Sequence, residues 1–197
     1  NRRFSPLSIK LKELVDSRTQ PMTMIYTVNA GNITPDHWTQ DLEIGGGRII
    51  GEGCHFIDYL RFLTGSPIEE VIAERIGNDS GILIQDDKMT ITLKFEDSSI
   101  GTVHYFANGS KQFPKERVEI FSEGRILALD NFRVLKGYQW PGFRKKRLWR
   151  QDKGHGNEVR KFIVIIKSGG KPLSPWQELE EVTVATFSAV KSARNSG

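Results

Sequence analysis

The chain has 197 residues and a formal net charge of +4, from 28 Lys and Arg against 24 Asp and Glu. That length suits one large domain or two small ones with a substantial core. Hydrophobic residues make up 38% and charged residues 26%, an ordinary soluble composition. No apolar run approaches the roughly 20 residues needed to cross a bilayer, so no membrane partner is expected. The lone cysteine, Cys54, excludes an intrachain disulfide and a cysteine zinc cluster, and it points to a reducing, cytoplasmic setting.

The opening Asn1-Arg2-Arg3 has neither a methionine nor a signal-peptide apolar stretch, and reads as the start of a piece cut from a longer chain. SPLSIKLKELVDSR follows, with Ser5 as N-cap and Pro6 at the first helical position. Ile9, Leu11, Leu14 and Val15 form its apolar stripe, and the helix is expected to end near Ser17. Met22 to Ala30 is β-branched and apolar, the pattern of a buried strand. It leads into GNITPDHWTQDLEIGGG, and loops longer than about 12 residues are usually functional or disordered. His37, Trp38 and Asp41 favour a functional one.

From about Gly51 a helix is expected, with Phe56, Ile57, Leu60 and Leu63 at helical spacing and Gly65 as its stop. EEVIAERIG, KMTITLKFED, SIGTVHYFA, RVEIFSEG, RILALD and FRVLKG then read as short strands of an antiparallel meander. Tight turns are expected at Asp97-Ser98 and Glu123-Gly124. The basic run Arg144 to Arg150 reads either as a nucleic-acid patch, its cations neutralising phosphates, or as a solvated strand or loop packed through Leu148 and Trp149. No nucleic-acid motif accompanies it, so no nucleic-acid partner is expected.

Two helices close the chain. In HGNEVRKFIVIIKSGG, Val159, Phe162, Ile163 and Ile166 share a face. In the second, Ser174 and Pro175 start the helix, and Leu179, Val182, Ala185, Phe187 and Val190 line its inner side. Helices, a block of strands and helices again predict an α+β domain: one open, mainly antiparallel sheet with helices on one face.

GGGRIIGEGCHFID is the stretch with most chemistry in it. Glu52, His55 and Asp58 recur every three residues and so lie near one another on a helix, with Tyr59 beside His55. Two carboxylates and an imidazole next to a glycine-rich loop suit general acid–base work near neutral pH. The same spacing also suits a structural arrangement, in which His55 bonds a carboxylate and Glu52 and Asp58 favour the helix N-terminus. No second histidine stands at helical spacing, so no metal is expected. The glycines never fall into G-x-G-x-x-G and no GKS or GKT follows, so the run carries no nucleotide fingerprint. No G-x-S-x-G elbow is present for a serine hydrolase.

NRRFSP, GGGRIIGEGCHFIDYLRFLTG, KGHGNEVRKFI and VTVATFSAVKSARNSG, in that order, resemble the C-terminal part of the Gfo/Idh/MocA family of NAD(P)-dependent oxidoreductases. GEGCHFID is similar to the subgroup whose members are sometimes fused behind a zinc-type alcohol dehydrogenase module. The resemblance implies a C-terminal domain like that of glyceraldehyde-3-phosphate dehydrogenase, spanning residues 1–197 and serving substrate binding and assembly. It further implies an N-terminal Rossmann domain, absent from this chain, which holds NAD or NADP and a Glu-Lys-Pro segment with a catalytic lysine.

By the same resemblance the substrate is a sugar, cyclitol or related polyol, and the protein a homo-oligomer assembled through the sheet. His55 matches the family histidine that exchanges the substrate hydroxyl proton, and Asp58 the aspartate that orients substrate or histidine. The family aspartate four residues before the histidine has Gly51 in its place, with Glu52 one residue later as the candidate acid partner. One residue rotates a side chain by about 100° on a helix, so the register matters. Arg3 and Trp38 are further substrate-side candidates. A second reading is a non-catalytic sheet domain for oligomerisation or ligand binding.

Overall fold

The structure, a computed structural model, describes residues 1–41, 43–77 and 85–195. Leu42 of the long loop and the last two residues of the closing landmark lie outside them. Strict alternation in KMTITLKF and IGTVHYF builds β3 (Lys88–Phe95) and β4 (Ile100–Phe106), whose Met89, Ile91, Leu93, Val103 and Tyr105 point to one buried side. β2 (Ile68–Arg75), β5 (Glu116–Ser122), β6 (Arg125–Asp130), β7 (Val134–Tyr138) and the short β8 (Lys145–Arg147) extend the array. β5 and β6 meet at the expected Glu123-Gly124 turn, where both residues adopt positive φ. The Asp97-Ser98 turn is present too, with Ser98 at φ 67°.

The expected meander is corrected in one respect. β1 (Thr23–Asn29) lies in the middle of an eight-stranded sheet of order β2-β3-β4-β1-β5-β6-β7-β8. It pairs parallel with β4 and antiparallel with β5, and all other pairs are antiparallel. A parallel pair needs a long crossover, here supplied by the loop and the helix between β1 and β2.

Helices cover one face. α1 (Pro6–Val15) buries Leu7, Leu11 and Val15. Ile9, expected on its stripe, is 36% exposed instead, and Leu7 takes the inward place. Ser5 precedes the helix but does not cap it; its hydroxyl donates to the Asp152 carbonyl at 2.7 Å. α2 (Cys54–Thr64) lays Phe56, Ile57, Tyr59, Leu60 and Leu63 on the sheet, and Gly65 ends it in the left-handed conformation. Gly101 lets α2 approach, because a Cβ there would stand 2.9 Å from the Leu60 side chain. Tyr26 meets Phe56 and Tyr59 edge-on at ring separations of 5.0 and 5.5 Å, and Tyr59 meets Phe132 at 5.7 Å. Such pairs contribute about 0.5–1.5 kcal/mol each beyond their burial.

α4 (Trp176–Asn195) packs on β2 and α2 through Val182, Ala185, Ala189, Val190 and Ala193. Leu179 and Phe187, expected inward, are 44% and 52% exposed. α3 (His155–Ser168) has the predicted amphipathic pattern but buries no residue, leaving Val159, Phe162, Ile163 and Ile166 exposed. The basic run forms β8 at the sheet edge. Leu148 packs against the core as expected, whereas Trp149 is 89% exposed and is no packing residue. Lysines and arginines on an edge strand discourage pairing with another chain.

Candidate active site

The helix carrying the candidate residues does not start as an ordinary α-helix. Ile49–Gly53 forms a π-helical turn that leads directly into α2, a widening often found at functional sites. Tyr105 of β4 and Lys115, just before β5, reach Glu52, and Arg48 reaches the Ala30 and Gly31 carbonyls just after β1. Ahead of the π-helical turn, Gly45 allows the loop to fold back on itself, since a Cβ there would lie 2.6 Å from Thr39 Cα. Gly45 therefore serves loop packing. No group of three or more His, Cys, Asp and Glu among the described residues is placed to hold a metal.

Glu52 turns towards the sheet. Its carboxylate accepts from the Tyr105 hydroxyl at 2.6 Å and the Lys115 ammonium at 2.5 Å, with Arg48 Nη2 at 3.4 Å. Burial works against its charge, but the bonds from Lys115 and Tyr105 outweigh it and hold the pKa below the usual carboxylate value. Arg48 also donates to the carbonyls of Gly31 and Ala30 at 2.7 and 3.1 Å, tying the start of the loop to the π-helical turn. Gly51, four residues before His55, faces open space: nothing lies within 4 Å of where a Cβ would be.

Asp58 is engaged by Arg3 through two hydrogen bonds, Nη2 to Oδ1 at 2.6 Å and Nε to Oδ2 at 2.9 Å. Arg3 in turn donates to Glu178 of α4 at 2.6 Å. Tyr59 is fully buried and donates to Ser8 Oγ at 2.8 Å, so it faces the core and not His55 as the spacing suggested. Trp38 projects from a single 3-10 turn, Trp38–Gln40, and is 61% exposed. Its ring neighbour is His37, at 6.0 Å, and His37 Nδ1 accepts from the Thr39 amide. Asp41 closes a local turn by accepting from the Glu43 and Ile44 amides.

His55 itself is exposed and makes no hydrogen bond among the described residues, so the alternative in which it bonds a carboxylate does not hold. Desolvation by the surrounding protein lowers its pKa, and the charge of Arg2 adds to this, while Glu52 and Asp58 pull the other way. The shift favours the neutral imidazole, and the ring is open to solvent.

A separate charged cluster was missed by sequence reading. Glu116, fully buried at the start of β5, accepts from Arg2 Nε at 2.7 Å and Nη2 at 3.0 Å. Lys153 Nζ and the Tyr26 hydroxyl, each at 2.5 Å, complete its shell. These bonds overcome burial and bring the Glu116 pKa down to about 2. Arg2 also stacks over the Phe56 ring at 4.7 Å, next to His55 in the chain. One signal was available in the sequence. Glu116 has the same strand parity as the inward Val118 and Ile120, so alternation places a carboxylate on the buried face.

A family model described as the GFO/IDH/MocA C-terminal domain matches residues 10–128. Myo-inositol 2-dehydrogenase of Thermotoga maritima is 27% identical over 210 residues, covering 98% of this chain and 60% of its own length. The crystal structure of an oxidoreductase domain protein from Kribbella flavida superposes with a TM-score of 0.80 at 19% identity, over 100% of this chain and 63% of that one. Levoglucosan dehydrogenase in complex with NADH and levoglucosan gives 0.78 at 18% identity, again over 100% and 63%. The chain thus spans about three fifths of the length of the relatives it matches.

Proposed function

The chain belongs to the Gfo/Idh/MocA family through its C-terminal domain, and from that premise we propose that it is the substrate-binding and assembly part of an NAD(P)-dependent oxidoreductase acting on a sugar, cyclitol or related polyol. The observation that carries this is His55: its ring is exposed and makes no hydrogen bond among the described residues, and its pKa is shifted towards the neutral form. A neutral imidazole there accepts the proton of a substrate hydroxyl as hydride leaves the same carbon, giving a carbonyl.

The myo-inositol and levoglucosan dehydrogenases among the relatives support the substrate class. The nicotinamide, when bound, supplies the hydride acceptor; its site belongs mainly to an N-terminal Rossmann domain outside residues 1–197. On this reading isolated residues 1–197 transfer no hydride. Glu52, locked by Lys115 and Tyr105, acts through the electrostatics of the site. Asp58, held by Arg3, and the exposed Trp38 are the substrate-side groups. A cytoplasmic setting agrees with the single Cys54, and no helix among the described residues is long and apolar enough to cross a membrane.

Assembly through the open sheet face is part of the same proposal. Ile72, Ile100, Phe106, Phe121 and Tyr138 alternate with the buried residues of their strands and are exposed on that face. A second copy packing there would cover them.

The test is turnover of the full-length protein on a panel of cyclitols and sugars with NAD and NADP, read as reduced nicotinamide. Turnover on at least one polyol is expected; none on any would overturn the catalytic reading. A second reading, a non-catalytic sheet domain, is favoured by Gly51, where the family carboxylate has no counterpart. It predicts oligomers of the full-length protein without turnover.

A further inference from the structure

Strand register rules the open face of the sheet into rows that cross all eight strands. One row starts at Ile72 on β2, passes through Thr102 and Glu119, and ends at Lys145 on β8. The next starts at Glu74 and ends at Arg147. Most charges between these ends are matched within the chain. Lys94 meets Glu70 at 2.5 Å, Lys88 meets Asp87 at 2.5 Å, and Arg117 meets Glu119 at 2.8 Å and Asp130 at 3.6 Å. At the ends they are not. Glu74 on β2 makes no ion pair among the described residues, and neither do Lys136 on β7 and Lys145 and Arg147 on β8. Residues 133–150 hold seven Lys and Arg and no Asp or Glu, more than the whole chain's surplus of +4. The face therefore has an acidic edge and a basic edge.

We propose that this face is a self-complementary dimer surface, in which the basic β7–β8 edge of one copy covers the acidic β2 edge of a second about a two-fold axis parallel to the strands. The inference rests on the assembly proposed above and adds its geometry. Two copies packed face to face are related by a two-fold axis between the sheets. An axis across the strands sets each strand on its own counterpart, and brings Lys136, Lys145 and Arg147 against themselves. An axis along the strands reverses the strand order and keeps the rows, so β2 lies over β8. Glu74 then faces Arg147 of the second copy, and symmetry makes that contact twice.

Like charges face to face repel and opposite ones attract, so charge selects the second axis. The apolar groups agree with it. Ile100, 42% exposed, shares a row with Thr23, Phe121 and Ile126, and the same axis lays it over Ile126 of the second copy. Apolar contacts thus fall inside the interface and opposite charges at its rim. The face measures about 35 by 20 Å, on the scale of the roughly 800 Å² that each partner buries in a stable interface.

The test is the dimer dissociation constant of the full-length protein, measured by sedimentation equilibrium at low salt. Glu74→Lys and Arg147→Glu are each expected to raise it about tenfold, although they shift net charge in opposite directions. Both changes in one chain restore opposite charges at both contacts, and are expected to bring the constant back near the wild-type value. Lys145→Glu, one row away, is expected to act in the same direction as Arg147→Glu and serves if that variant fails to fold.

A dimer that ignores both reversals, or a double variant no tighter than the single ones, would overturn this arrangement and leave assembly standing. Tightening by Arg147→Glu would place the basic edges together and overturn it equally. A full-length protein that stays monomeric would overturn the assembly reading and this inference with it.

Discussion

Arg3 grips Asp58 in a two-bonded fork, at 2.6 and 2.9 Å, that joins the first turn of the chain to the face of α2 carrying His55. The fork holds both Asp58 carboxylate oxygens. Replacing Arg3 by Ala strands a half-buried carboxylate, and a loss of about 2 kcal/mol in chemical denaturation is expected. Arg3→Lys keeps a charge but not the fork, so it should recover only part of that stability. Equal stability of Arg3→Ala and wild type would show the pair to be incidental.

Acid stability should report Glu116. Its folded pKa of about 2 lies below the ordinary carboxylate value of 4.5. Its contribution is therefore full above the unfolded value and is lost as pH falls from 4.5 towards 2. The shift corresponds to about 3 kcal/mol at most. Denaturation curves between these limits should be flatter with pH in Glu116→Gln than in wild type. Parallel curves would contradict the assignment.

Gly51→Asp restores a carboxylate four residues before His55 at a place with room for it. The change should leave stability within about 1 kcal/mol and raise the His55 midpoint in an NMR titration, because a new negative charge favours the imidazolium. A midpoint that stays still would show that position 51 does not face the histidine.

Gly101 is the reverse case. A Cβ at this position presses on Leu60 and also meets the Met24 and Phe95 side chains at 3.2 and 3.3 Å. Gly101→Val should cost about 1–3 kcal/mol through overpacking, measured as a lower Tm. No loss would mean that α2 sits higher above the sheet.

The legible parts of this protein were those whose signal is local. Alternation in KMTITLKF, the Glu123-Gly124 turn and the Gly65 stop each depend on neighbours in sequence, and each is where it was expected. The place of β1 was not legible, because its partners β4 and β5 lie some 75 to 100 residues away and no local pattern names them. α3 shows the limit from another side. Periodicity assigned its apolar face correctly, but a pattern cannot say what covers that face, and nothing among the described residues buries it.

The site divides in the same way. The spacing of Glu52, His55 and Asp58 was visible, while the groups that claim Glu52 and Asp58 (Lys115, Tyr105 and Arg3) are 63, 53 and 55 residues distant. The π-helical turn, which sends Glu52 to the sheet and leaves Gly51 facing solvent, has no signature in composition or period. Lys153 lay in plain view within KGHGNEVRKFI, yet its role depends on a buried carboxylate that only the fold brings to it.

The most direct measurement is steady-state turnover of the full-length protein on its best polyol, wild type against His55→Ala, across the pH range where the imidazole titrates. The account predicts a fall in kcat of about a hundredfold or more, with the acid limb of the pH profile lost in the variant. Unchanged turnover and an unchanged acid limb would contradict it.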